Sequence, residues 1–334
     1  MSLSLFYILC RWLHFSALMS SGGCSLFSAL LAPARFRASL DKKFHRLLVV
    51  SVSATLVTAI MLVVAQTALM AGSGSALWDA ATWQAVMQTH AGQVWQWQLV
   101  TALLGLSGLA LRGRGRQWLC LFCASGQLVG LAFTGHAAMA DGLMGTLQRS
   151  NQVVHLLAAA FWAGGLLPVL LLMRDTRQLT TRYDAIKTLM CFSRYGHLAV
   201  ALVVLTGVIN SLLIPDWSAS GFGLYTRLLL LKTLLVAVMC GVALFNRYWL
   251  VPRFRYAGER ARRIFILTTL AEIFFAALVL LLVSVFATLE PACIFLLPYQ
   301  AFIQRGLLHH EKTGQSDHCT EFLFQRDGCR NYYR

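Results

Sequence analysis

Charge is scarce in this chain. Only 12% of its 334 residues are Asp, Glu, Lys or Arg, about half of the roughly 25% that a soluble domain carries. With 58% of residues apolar, a water-soluble fold would lack polar surface to cover its core, and that class is set aside. A phosphate-cradling glycine loop and a dinucleotide fingerprint are also missing. No Ser, His and Asp set shares a common depth, so no enzyme activity is expected. The first apolar segment lacks a basic leader and is expected to be a retained helix, not a cleaved signal. Nine cysteines are scattered, several of them in apolar stretches. That suits small buried hydrophobes better than a disulfide framework.

Apolar runs of about 20 residues recur along most of the length, as membrane-spanning helices require. The sequence predicts an all-α, polytopic membrane bundle of about eight transmembrane helices. They fall at 3–31, 47–71, 94–111, 117–138, 150–173, 190–214, 226–247 and 264–289. Three regions follow: a four-helix membrane region 1–149, a second four-helix membrane domain 150–289, and an atypical, disordered tail 290–334. The net charge of +15 sits in alternate links. The links 32–46, 112–116, 174–189 and 248–263 are rich in Lys and Arg, whereas 72–93 and 215–225 have none and 139–149 has only Arg149. This is the pattern of cytoplasmic loops and not of a nucleic-acid face. By the positive-inside rule both termini lie outside, in the periplasm of a bacterial cell.

Trp78, Trp83, Trp95 and Trp97 cluster within 77–97, which predicts an interfacial helix, a lid or an aromatic anchor on the outer face. Gly126 with Gly130, and Gly164 with Gly165, are small patches that allow close helix contact. Cys120 and Cys123 have the spacing of a redox dithiol, but their apolar setting favours two core cysteines.

Four histidines lie in or at the ends of apolar stretches: His14, His136, His155 and His197. Imidazole at membrane depth is costly and usually has a partner or a task. It is also a ligand for copper, zinc and haem iron. A rise of about 1.5 Å per residue places His136 and His155 near the outer face. Met139 and Met144 lie between them, and Met87 and His90 sit on the preceding outer link. His14 lies roughly 15–20 Å below the outer surface and His197 in the inner half. Arg11, Lys232 and Glu272 cannot face lipid cheaply and should point into the bundle or pair. Arg11 with Glu272 is the pair favoured on depth and sign. A column of His, Met and Cys is what a path for a soft copper ion would need. The competing reading is that these side chains only join helices.

The segment His155-Leu-Leu-Ala-Ala-Ala-Phe-Trp-Ala-Gly-Gly-Leu-Leu-Pro168 resembles the opening helix of the CopD/PcoD copper-resistance domain. Phe192-Ser-Arg194, Thr206-Gly207, Tyr225-Thr-Arg-Leu-Leu-Leu-Leu-Lys232 and Asn246-Arg247 follow in that family's order. Arg11-Trp-Leu-His14 and Gly135-His136 extend the resemblance to the first half. The resemblance implies an inner-membrane protein of copper homeostasis, associated with copper uptake into the cytoplasm. It also implies a small periplasmic copper-binding partner of the CopC type. Carried over by position, His14, His136 and His155 are its copper-handling candidates, with Met139 and Met144 beside them. Arg11, His197, Lys232 and Glu272 are assigned structural or coupling roles. Two alternatives stand beside transport: a haem-binding membrane oxidoreductase resembling a diheme cytochrome b, and a non-transporting copper relay or sensor. Membrane lipid is the common surrounding, nucleic acid is no partner, and a homo-oligomer remains an open alternative.

Overall fold

Long apolar sequences with few helix breakers satisfy every backbone group internally, as a membrane interior demands. The computed structural model describes residues 2–71, 75–134, 142–213, 223–254, 258–286 and 288–289, and among these no strand occurs. Helix α1 spans Leu3–Leu26, with the Ser2 hydroxyl accepting from the Leu5 amide at 3.3 Å. It runs on as a π-helical turn over Phe27–Leu31. Helix α2 spans Arg37–Ala71, α3 Ala80–Gln88, α4 His90–Gly108 and α5 Arg114–Leu131. Helix α6 spans Gly142–Leu172 and α7 Arg182–Leu212. Helix α8, Leu224–Leu244, passes into a π-helical segment Phe245–Leu250 and the single turn α9, Val251–Arg253. Helix α10 spans Gly258–Phe286. The chain is an all-α membrane bundle.

Among the described residues, 6 helical stretches are long and apolar enough to cross a membrane: Leu3–Leu31, Arg37–Ala71, Gly142–Leu172, Arg182–Leu212, Leu224–Arg253 and Gly258–Phe286. The remaining two expected spans correspond to α4 and α5. With 19 and 18 residues they reach about 27–28 Å, but Gln96, Gln98, Arg114, Arg116, Gln117 and Gln127 make them more polar. Several helices also begin well before their apolar stretch. Helix α2 starts at Arg37 instead of 47, because hydropathy marks only the membrane part while the helix continues into the charged link.

Helix α1 is the hub, packing against α2, α5, α6 and α10. Helices α2, α4 and α5 complete one half, and α6, α7, α8 and α10 the other. The α1–α6 crossing is set by glycine. A Cβ at Gly23 would overlap the Gly164 carbonyl, and one at Gly164 would overlap the Met19 carbonyl. The close helix contact expected at the Gly126–Gly130 patch is made with α4: a Cβ at Gly130 would stand 2.9 Å from Gln98 Nε2. Cys120 and Cys123 are buried free thiols in this core, as expected.

One end of the bundle is stitched by charge. Arg35 forms a two-pronged pair with Asp184 at 2.8–3.0 Å. Lys43 pairs with Asp175, Arg116 with Asp41, and Arg177 with Glu259. All of these residues lie in or next to the four basic-rich links, so the alternation of charge along the chain becomes one charged end in space.

Candidate functional site

His14 is fully buried on α1. Its Nδ1 lies 3.0 Å from Thr58 Oγ1 on α2. The Thr58 hydroxyl already donates to the Ala54 carbonyl at 2.6 Å. It can therefore only accept from the ring, which puts the proton on Nδ1 and leaves Nε2 as a bare lone pair. That Nε2 is buried without a hydrogen-bond partner. The Trp95 ring meets the imidazole edge-on at 6.1 Å. Cys10, one turn earlier on the same helix face, packs with Trp95, Leu62 and Val63. Trp83 and Met87 of α3 close over this cluster.

Helix α3 explains much of the tryptophan group. Asp79 caps it, accepting from the amides of Ala81 and Thr82. Its carboxyl is held below the usual range, chiefly by the Thr82 hydroxyl and then by those amides. Trp83 donates to the Leu77 carbonyl at 2.8 Å and Trp95 to Gln66 Oε1 at 2.6 Å. Trp78 remains exposed.

His155 on α6 repeats the His14 arrangement. Its Nδ1 lies 2.9 Å from Thr206 Oγ1 on α7. The Thr206 hydroxyl is already donated to the Leu202 carbonyl one turn earlier. The same logic assigns Nδ1–H and a free Nε2, which makes no hydrogen bond to any described residue. Gly207 lies beside the ring, and a Cβ there would be in ordinary van der Waals contact with its Cε1 at 3.5 Å. Around it, Asn151 donates to the Thr206 carbonyl at 3.0 Å and to Asn210 Oδ1 at 2.9 Å. Asn210 in turn donates to Gln152 Oε1 at 2.8 Å.

The two rings are not brought together. His14 precedes Gly23 by nine residues, and His155 precedes Gly164 by nine. Nine residues are two and a half turns, so each ring lies on the helix face opposite its glycine. Since the glycines face each other at the α1–α6 crossing, the imidazoles point outward toward α2 and α7. Helices about 10–12 Å wide place them roughly 20 Å apart. At that separation the two imidazoles do not meet at one cation or at one haem iron. Sequence periodicity shows which residues share a face but not which neighbour that face meets.

His136 and Met139 lie outside the described residues. Met144 is exposed in the first turns of α6. Eleven residues separate it from His155, which returns it to nearly the same helix face about 16 Å away. Among the described residues, no group of three or more His, Cys, Asp or Glu side chains could hold a metal ion.

The predicted Arg11–Glu272 pair is corrected. Arg11 Nη1 donates to Tyr7 Oη at 3.3 Å, and its guanidinium lies over the Tyr7 and Phe15 rings. Glu272 instead accepts from Asn246 Nδ2 at 3.0 Å, and Asn246 Oδ1 accepts from Thr268 at 2.6 Å. Asn246 belongs to the π-helical segment, whose extra residue per turn aims it at α10. His197 is exposed: its Nδ1 donates to the Ser193 carbonyl at 2.7 Å, and Tyr248 reaches its Nε2 at 3.2 Å. Lys232 is half-buried on α8. Thr58 and the Glu272–Asn246 contact gave no sequence signal, because threonine is ordinary in apolar helices, and Trp95 stood out only as one of the outer tryptophan cluster and not as a neighbour of His14. Thr206 did stand out, but only as part of Thr206-Gly207.

A family model described as "Copper resistance protein D-like, N-terminal domain" matches residues 1–146, and one described as "Copper resistance protein D" matches residues 186–286. Inner membrane protein YebZ of Escherichia coli (strain K12) is 38% identical over 285 residues, 85% of this chain and 98% of that protein. Copper resistance protein D of Pseudomonas syringae pv. tomato is 33% identical over 300 residues, 84% of this chain and 95% of that protein. Copper transport protein CutJ of Bacillus subtilis (strain 168) is 29% identical over 184 residues, 52% of this chain and 34% of CutJ. No solved structure matches. With the two more similar relatives matched over nearly their whole length, the chain belongs to the copper resistance protein D family.

Proposed function

We propose that this protein is a multi-pass inner-membrane protein of copper homeostasis that moves copper from the periplasm to the cytoplasm. His14 and His155 are its copper-handling imidazoles in the described structure. His136 and Met139 belong to the same set by sequence, and Met144 lies on the outer approach to His155. The basic-rich, ion-paired end faces the cytoplasm, following the positive-inside rule. A CopC-type protein would deliver the ion at the opposite end.

One observation carries this reading. Each ring is locked through Nδ1–H to a threonine whose own proton is committed, which leaves His14 Nε2 buried without a partner and His155 Nε2 without a hydrogen bond to any described residue. A buried polar atom left without a partner costs about 1–3 kcal/mol. A ring kept only to join helices gains nothing from that arrangement, whereas a soft cation needs that lone pair. The family and the names of two relatives, a copper resistance protein and a copper transport protein, point the same way.

Uptake of copper by proteoliposomes containing the full-length protein tests it. His14→Ala and His155→Ala are expected to fall toward the rate of empty vesicles. Uptake unchanged in both would remove the transport assignment.

A further inference from the structure

The two histidines belong to one repeated device. In each half the first helix carries the imidazole and the next contacting helix carries the threonine. Each threonine hydroxyl is bonded to the carbonyl four residues earlier and lies near the one three residues earlier: Ala54 and Thr55 for Thr58, Leu202 and Val203 for Thr206. Each imidazole contacts its threonine through Nδ1 at about the same distance, 3.0 and 2.9 Å. Each lies nine residues before the glycine at the crossing of the two halves. Four independent features coincide: helix order, ring atom, threonine bonding and register to the glycine. The α1–α2 and α6–α7 pairs are thus two versions of one unit, facing away from each other across the Gly23–Gly164 contact.

From this we infer that the protein holds two separate sites for a soft monovalent cation, one on each side of the α1–α6 crossing. One uses His14 Nε2 and the other His155 Nε2. The inference rests on the copper reading above and adds the number and independence of the sites. In the first, the buried thiol of Cys10 lies one turn outward on the same face as His14, beside Trp95. A cuprous ion accepts thiolate and imidazole together. In the second, the residue four positions outward from the histidine is Asn151, whose amide is engaged with Thr206 and Asn210. The second site therefore lacks that sulfur and binds more weakly.

The test is titration of the purified full-length protein with Cu(I) against a chromophoric chelator. It compares the unsubstituted chain, His14→Asn, His155→Asn and the double variant. Each single substitution is expected to remove one equivalent and the double variant two, irrespective of copper bound elsewhere on the chain. A common site would lose the same single equivalent in all three variants, which overturns the inference while leaving a copper role intact. No change in any variant would overturn both this inference and the copper assignment of these histidines. Thr58→Val and Thr206→Val keep ring and volume and guard against misfolding of the histidine variants. Each should weaken only its own equivalent, and weakening of both by either would contradict independence.

Discussion

The two halves hold their histidines identically and surround them differently. His14 is sealed, with Trp95 at its edge and α3 above it. His155 is only partly covered and sits in a network of Asn151, Gln152 and Asn210. Their ion pairs differ in the same sense. Arg116 and Asp41 join α5 to α2 with side chains 11% and 14% exposed, while Arg177 and Glu259 in the other half are 54% and 72% exposed. A fixed imidazole is thus common to both halves, and access to it is what differs. Orientation of a ring is local, set by one neighbouring hydroxyl, whereas access depends on every helix and link packed above.

The comparison fails first if the crossing point is removed. Gly164→Leu would drive a side chain into the Met19 carbonyl and separate the halves. Overpacking of this kind costs on the order of 3 kcal/mol, expected as a marked drop in the detergent melting temperature. Gly241→Ala, where a Cβ meets nothing within 4 Å, should leave it unchanged or slightly raised. Equal melting of the two variants would show that α1 and α6 do not depend on glycine contact.

A sharper probe separates the two sites. Thr58→Val leaves a buried Nδ1–H without its acceptor and should cost about 1–2 kcal/mol. Thr206→Val should cost less, since the His155 surroundings are polar and partly open. Thermal unfolding of the two variants measures this order, and a larger loss for Thr206→Val would reverse the assignment of sealed and open sites.

The smallest effect concerns the exposed pair of the second half. The Arg177 hydrogen bond holds the Glu259 carboxyl below its ordinary 4.5. A depressed carboxylate contributes stability above that ordinary value and loses it as pH falls through the depressed one. The expected result is a slight stability gap between the native chain and Glu259→Gln at neutral pH, closing on acidification and diminished by salt. A gap that widens in acid would contradict the pairing.

Several of these features are legible without coordinates. The basic-rich links predict that their charges gather at one end, and the ion pairs of Arg35, Lys43, Arg116 and Arg177 lie there. The Gly164 patch predicts close helix contact, and Gly23 supplies it. Other features are not legible. Arg11 and Glu272 looked complementary by charge and depth, yet Arg11 contacts Tyr7 and Phe15 of its own helix, and the π-helical segment brings Asn246 to Glu272. The half turn between each histidine and its glycine sends the two rings apart, which is evident only once the glycines are known to meet.

Composition and spacing by themselves determined a multi-pass helical membrane protein with scarce charge confined to alternate links, because desolvating charge and backbone is costly in lipid whatever the packing. Only the tertiary structure decided that His14 and His155 turn away from each other and that each is held by a threonine of the next helix. Which neighbour a helix face meets depends on where helices can approach most closely, and here that is the meeting of Gly23 with Gly164.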